Sequence, residues 1–81
     1  MSSVTPDEIR LRIAGILPGL PVDPTVNLLE SQMIDSYSII EVVDLLEQAF
    51  AVRFGPTDLS FENLTSLAAM AATVSRLRDA A

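Results

Sequence analysis

The chain has 81 residues, which suits one small hydrophobic core, and its 49% apolar content excludes a disordered acidic tail. It contains no Cys and no His, which excludes disulfides and cysteine chemistry and removes the commonest metal ligand and general base. The net charge is −6, and eight acidic residues face a single arginine between residues 23 and 62. Such a surface disfavours nucleic acid and anionic lipid as partners and favours a basic protein surface.

The whole chain, residues 1–81, is expected to form a single domain and to be a monomer. It contains no apolar run long enough to span a bilayer. The N-terminal residues have neither the basic start nor the apolar centre of a signal peptide. We therefore expect a soluble cytoplasmic protein.

The first helix is predicted to open at Thr5, which suits the N-cap position. Pro6 then takes the first helical position and Glu8 the third, which completes a capping box. Pro18-Gly19 is expected to stop the helix. Its apolar face is predicted to consist of Ile9, Ile13, Ile16 and Leu17.

A long irregular segment is predicted for residues 18–35, because three prolines forbid a regular helix in its first part. Its apolar content is high for a loop, so we expect it to lie pinned across the core. Long ordered loops in small domains are often functional. The apolar residues are Leu20, Val22, Val26, Leu28, Leu29, Met33 and Ile34.

The second helix is predicted from Ser36 to about Phe50, with Asp35 as its N-cap. One stripe at helical spacing is apolar and is expected to face the core, namely Ile39, Val42, Val43, Leu46 and Phe50. The opposite face carries Tyr37, Ile40, Glu41, Asp44 and Gln48.

A short helical turn is predicted for residues 60–64, and either Thr65 or Ser66 is expected to cap the last helix. Arg76 and Arg78 lie in its final turns, where cations suit the helix dipole. Its apolar face comprises Leu67, Met70, Ala71, Val74 and Leu77. The pattern predicts an all-α fold: an antiparallel bundle of three main helices and one short helix, with a long loop between the first two.

A family resemblance enters at the start of the second helix. The sequence here resembles the acyl carrier protein family. The resemblance lies in the pair Leu28-Leu29, in Asp35-Ser36-Tyr37, and in the apolar helix that follows with Glu41, Glu47 and a terminal Phe50. Residues 61–67 also look like the family's third helix and the start of its fourth. Two positions depart from the family pattern: Gln32 stands where members often have Gly, and Tyr37 replaces the usual Leu, Met or Phe.

The resemblance implies a 4'-phosphopantetheine arm attached covalently to Ser36 by a phosphopantetheinyl transferase. The phosphodiester would lie beside the positive end of the helix dipole. Asp35 would help to hold the transferase's magnesium during loading, and no metal is expected in the resting protein. The further partners implied are an acyl- or aminoacyl-loading ligase or adenylation enzyme and a downstream acyltransferase or synthase. The alternative interpretation of Asp35-Ser36 is an ordinary capped helix start.

Tyr37 and Ile40 face away from the core stripe, beside Glu41 and Asp44. A small apolar patch with an acidic rim favours a docking face for basic partner enzymes. Glu41, Asp44 and Glu47 would otherwise form a plain solvated face, which is the favoured interpretation for Glu47.

The resemblance also implies space for cargo between the second and third helices, lined by Leu46, Phe61 and Leu64. The simpler interpretation of the Met and Phe side chains is core packing, and it applies to Met33, Phe54, Phe61 and Met70.

Two carrier functions remain open: a discrete acyl carrier for fatty acid or polyketide synthesis, and an aminoacyl carrier similar to D-alanine carriers and stand-alone peptidyl carriers. The segment Ile34-Asp35-Ser36-Tyr37 leans toward the second. A third alternative is an acidic helical adaptor that binds a basic partner without a prosthetic group. An enzyme is disfavoured, because the sequence shows no nucleophile–base pair.

Overall fold

A computed structural model describes residues 3–80; Met1, Ser2 and Ala81, at the ends of the predicted domain, lie outside the described residues. The helices are α1 (Pro6–Ile13), α2 (Ser36–Phe50), α3 (Phe61–Leu64) and α4 (Leu67–Ala80). Residues 3–80 contain no strand. Helix α1 packs against α2 and α4, and α4 also contacts α2 and α3. The predicted all-α bundle of three main helices and one short helix is confirmed.

Helix α1 begins as predicted but ends earlier. The Thr5 hydroxyl accepts a hydrogen bond from the Glu8 backbone N–H at 3.2 Å, which completes the N-cap. The helix stops at Ile13, so Ile16 lies on the surface, 37% exposed, and not on the core face. After Ala14 the chain tightens into a 3₁₀-type turn, in which the Ile16 N–H donates to the Ile13 carbonyl at 3.1 Å, and Gly15 disfavours continuation of the α-helix.

The core collects side chains from all four helices and from the segments between them. Residues outside the helices contribute five of its fourteen buried apolar side chains: Val4, Leu17, Leu28, Ile34 and Val52. The helices contribute Ile9, Ile13, Val42, Leu46, Leu64, Leu67, Met70, Ala71 and Val74.

Residues 18–35, which we call the first connector, are held by backbone hydrogen bonds as well as by burial. The Leu28 N–H donates to the Thr65 carbonyl at 2.6 Å, and the Ala68 N–H donates to the Pro24 carbonyl at 2.9 Å. The Arg10 guanidinium donates to two further carbonyls of the connector, those of Pro21 and Val22. The prediction that this segment lies pinned across the core is confirmed, except at Val22, whose side chain is 87% exposed.

Residues 51–60, which we call the second connector, follow the end of α2 at Phe50, as predicted. Ala51 adopts a left-handed conformation with φ 55°, and its N–H donates to the Glu47 carbonyl. The Glu47 carboxylate then accepts the Phe54 N–H at 2.8 Å. Glu47 therefore binds the chain twice, with its backbone carbonyl at Ala51 and with its side chain at Phe54.

Helix α4 starts after Ser66, whose hydroxyl accepts the Ala69 N–H at 3.0 Å. Of the two predicted caps, Ser66 is therefore the one that binds the first turn. Near the other end of α4, Arg76 forms an ion pair with Asp58 at 2.7 Å. No helix in residues 3–80 has the length and apolar character needed to cross a membrane.

Candidate functional site at the start of α2

The start of α2 presents a serine to solvent on a fixed piece of backbone. Asp35 is extended, with φ −129° and ψ −176°, and its side chain accepts the Ser38 N–H at 2.8 Å. The Ile39 N–H donates to the Asp35 carbonyl at 3.0 Å. Ser36, the first helical residue, is exposed. Its hydroxyl is therefore accessible, while the cap before it holds the turn in place.

The cap also affects the charge beside that hydroxyl. The backbone hydrogen bond from Ser38, and then its side-chain hydroxyl, lower the pKa of Asp35 below the ordinary value. At neutral pH a carboxylate therefore lies next to Ser36. No cluster of three or more potential metal ligands occurs in residues 3–80, so Asp35 belongs to no preformed metal centre in that part of the chain.

The outward face of α2 is uncovered, as its sequence pattern predicted. Tyr37 and Ile40 are 72% and 68% exposed, and Glu41 and Asp44 beside them are also exposed. Glu47 is different, because it is half-buried and its carboxylate binds the Phe54 N–H. Of the three acids assigned to a docking face, Glu41 and Asp44 are thus open to solvent, and Glu47 is engaged within the fold.

An apolar groove begins at Ser36 and has a volume of about 300 Å³. One wall belongs to α2, and the other comes from the second connector and α3. Leu59 and Phe61 form that second wall, 50% and 55% exposed, respectively. The complete lining is Ser36, Ile39, Ile40, Val43, Leu59 and Phe61.

The groove has a different lining from the cargo space expected from the sequence. Phe61 lines it and is not a core residue, whereas Leu46 and Leu64 are fully buried in the core and lie behind it. Both side chains belong to the same buried cluster as the apolar residues of α4, Leu67, Met70, Ala71 and Val74. Of the other side chains interpreted as core, Met70 is buried, and Met33 and Phe54 pack partly buried against the core.

Sequence reasoning missed three residues of this groove. Ile39 and Val43 were assigned to the core stripe, but they lie at its edge and are only half-buried. Leu59 stands alone between polar residues, so no periodic pattern marks it. The one available signal was that a large apolar residue follows the Gly55-Pro56 turn and immediately precedes the predicted short helix.

A small helical bundle that exposes a serine at a capped helix start, beside an apolar groove, has the architecture of a carrier protein. Residues 7–74 match the family model for the phosphopantetheine attachment site, and the chain belongs to this family. No curated protein and no solved structure gave a significant match to the chain.

Membership in the family defines the kind of work that the protein does. It carries 4'-phosphopantetheine, bound covalently to a serine, and it is a carrier and not an enzyme. A carrier works with partner enzymes, such as a phosphopantetheinyl transferase and synthases. The family match gives no support to the adaptor without a prosthetic group.

Proposed function

We propose that Ser36 is the attachment serine and that its arm holds acyl or aminoacyl groups as thioesters. The observation that carries the proposal is the position of Ser36, which is exposed, first in α2, and part of the apolar groove lining. The helix start favours a phosphate there, because the dipole places partial positive charge at that end. The thiol of the arm supplies the reactive group, so the chain needs no Cys of its own.

The groove is the proposed resting place for the cargo. It starts beside the attachment point, so a group on a folded-back arm would meet Ile39, Val43 and Phe61. Contact with apolar side chains favours cargo that has an alkyl part. This is the observation that supports an acyl carrier for fatty acid or polyketide synthesis. The motif Ile34-Asp35-Ser36-Tyr37 supports the second candidate, an aminoacyl or peptidyl carrier.

Intact mass spectrometry tests the attachment site directly. The protein is incubated with coenzyme A and a promiscuous phosphopantetheinyl transferase, and one added arm is expected. Ser36→Ala should fold normally but remain unmodified, because the exposed side chain contributes little to packing. Ser38→Ala, two residues further along the same helix, is the matched control and should gain the arm. An arm on Ser31 or Ser38 in the wild type would overturn the assignment.

Partner enzymes are proposed to dock on the face formed by Tyr37, Ile40, Glu41 and Asp44, which we call the acidic face. Two exposed apolar side chains with adjacent carboxylates suit a basic surface that also has an apolar contact. The partners are the transferase, a loading ligase or adenylation enzyme, and a downstream acyltransferase or synthase. Glu47 is left out of this face, because its carboxylate is occupied by the Phe54 N–H.

Association rates with the transferase at two salt concentrations test the acidic face. Glu41→Lys should slow association, and the loss should shrink as salt rises, because exposed charges are screened beyond about 10 Å at 0.1 M. Ile40→Ala should weaken the complex nearly independently of salt, through lost apolar contact. Asp79→Lys, the same charge change near the end of α4, is the control and should have a smaller effect. Equal losses for the two lysine variants would place docking elsewhere.

A further inference from the structure

Leu59 and Phe61, which form the outer wall of the groove, lie in a segment that a small set of side-chain hydrogen bonds holds in place. Asp58 lies one residue before Leu59, and its side chain is only 14% exposed. One carboxylate oxygen accepts the Gly55 N–H at 2.9 Å, and the other accepts an Arg76 guanidinium N–H at 2.7 Å. The carboxylate therefore ties the second connector to α4.

A second set of hydrogen bonds involves Asn63, within α3. The Asn63 side-chain amide donates to the Asp58 carbonyl at 3.0 Å. The buried Thr73 hydroxyl has one proton, which it shares between the Ala69 carbonyl at 2.9 Å and, as the weaker branch, the Asn63 carbonyl at 3.3 Å. Residues 58–63 are thus bound to α4 mainly through Asp58, with a weaker contact at Asn63.

Leu59 and Phe61 lie between these two ties, and neither is held by burial. Half of each side chain is open to water, so packing alone holds them weakly. A short segment with few buried apolar contacts opens locally at low cost, even when the rest of the fold stays intact. The position of the groove wall therefore depends on the hydrogen bonds that flank it.

We propose that Asp58 and Arg76 are positioning residues that hold Leu59 and Phe61 against α2 and so determine how well the carrier shields long cargo. The inference rests on the proposed function of the groove. Neither residue lines the groove, so they act on it only by holding the wall in place. Arg76 is more than half exposed, so its loss should change overall stability little while it loosens this segment.

The comparison of a long with a short thioester isolates this effect. The transferase can load acetyl- or octanoyl-phosphopantetheine from the matching acyl-coenzyme A, and hydrolysis at mildly alkaline pH is followed by intact mass. In the wild type we expect octanoyl to hydrolyse roughly tenfold more slowly than acetyl, because burial of its methylenes favours the shielded state. Any general effect of charge on hydroxide attack cancels in the ratio of the two rates.

Arg76→Gln should bring that ratio down to roughly threefold, since the wall spends more time open. Arg78→Gln is the matched control: it makes the same charge change in the same helix, and Arg78 forms no ion pair within residues 3–80. It should keep the wild-type ratio. Asp58→Asn, which removes the charge from the other side of the ion pair, should reproduce the effect of Arg76→Gln.

Hydrogen exchange on the protein without its arm gives a second readout that requires no cargo. The hydrogen-bonded amides of this segment, those of Gly55, Asp58 and Asn63, should exchange faster in Arg76→Gln than in Arg78→Gln, while the core amides of α2 stay protected. A wild-type ratio above one that is unchanged in Arg76→Gln would overturn the positioning role and leave the carrier function intact. A wild-type ratio of one would show that the groove shields no cargo. Failure to load Ser36 would refute the attachment site. Either result would also refute the positioning role of Asp58 and Arg76.

Discussion

The two connectors on either side of α2 are both held against the rest of the fold, but by different interactions. The first connector, residues 18–35, buries apolar side chains and forms backbone hydrogen bonds with Thr65, between α3 and α4, and with Ala68 in the first turn of α4. The second, residues 51–60, buries Val52 and packs Phe54 against the core, and its backbone is bound by two carboxylates, those of Glu47 and Asp58. The first fixes the entry to α2 and thus Ser36, and the second positions one wall of the groove.

This difference indicates that the backbone before α2 is the more rigid part of the carrier and the groove wall the less rigid part. Burial of Leu28 and Ile34 fixes the backbone that leads into the cap at Asp35, so Ser36, the proposed attachment point, has little freedom. Carboxylate hydrogen bonds near the surface are weaker and depend on pH, so the groove wall is the part that a change of conditions loosens first. A fixed backbone at the proposed attachment serine and a more movable groove wall would suit the carrier function proposed above.

The largest expected effect comes from the apolar anchor of the first connector. Leu28→Ala should reduce the free energy of unfolding by about 2–5 kcal/mol, because it removes a fully buried side chain and leaves a cavity. Leu59→Ala in the second connector should cost about 1 kcal/mol, since full burial of a Leu is worth about 1.5–3 kcal/mol and this one is 50% exposed. Urea unfolding of both variants measures the difference. Equal losses would show that the connectors do not differ in this way.

The next largest effect is expected from removing the Glu47 carboxylate, which binds the second connector. Glu47→Ala should cost about 1.5 kcal/mol, because the Phe54 N–H loses a hydrogen bond to a charged acceptor. Glu41→Ala, the same substitution on the exposed face of the same helix, should have almost no effect on unfolding. Chemical denaturation of the pair is the measurement. A costly Glu41→Ala would mean that the acidic face contributes to the fold itself.

Acid should loosen the second connector before it affects the apolar anchors of the first. The hydrogen bond from Arg76, and then the one from Gly55, lower the pKa of Asp58 in the folded protein. Its contribution to stability is therefore fully present above the unfolded-state value, about 3.9, and is lost as pH falls through the lower folded value. Between pH 5 and pH 3, stability should fall less steeply in Arg76→Gln and Asp58→Asn than in the wild type or Arg78→Gln. Identical slopes in all four would remove Asp58 from the acid response.

The sequence predicted the parts of this fold that local rules control. Thr5 and Asp35 cap their helices as expected, and α2 runs over the predicted residues, because capping and helical periodicity are properties of neighbouring positions. The early end of α1 and the anchors of the second connector were not predicted. Glu47 meets Phe54 only after the left-handed turn at Ala51, and Asp58 meets Arg76 across 18 residues, so neither contact leaves a periodic trace.

The same limit applies to the candidate site. The exposure of Ser36, Tyr37 and Ile40 was predicted, because it depends on which side of α2 they occupy. The groove was predicted with the wrong neighbours, since its outer wall is set by how residues 55–63 fold back on α4. A sequence pattern identifies which face of a helix is apolar, but it does not say which distant segment covers the edge of that face.

The smallest expected effect concerns a feature that the two connectors share. Gln32 in the first and Ala51 in the second both adopt left-handed backbone conformations, with φ 65° and 55°. An L-residue pays roughly 1–2 kcal/mol for this conformation, while glycine loses about 0.5–1 kcal/mol through its freer unfolded chain. Gln32→Gly and Ala51→Gly should therefore each raise the free energy of unfolding by about 0.5–1 kcal/mol.

Gln32→Ala is the control for that series, because it removes the side chain but keeps the unfavourable backbone geometry. It should leave stability near the wild-type value, so that a gain seen only with glycine is assigned to the backbone and not to the lost amide. The loading rate of Ser36 by the transferase adds a second measurement. Gln32 precedes Asp35 by a turn whose N–H groups bind Leu28 and Leu29 carbonyls. If this connector is as rigid as its buried anchors imply, Gln32→Gly should stabilise the protein without changing the loading rate; a slower rate would show that the entry to α2 still has freedom that the glycine increases.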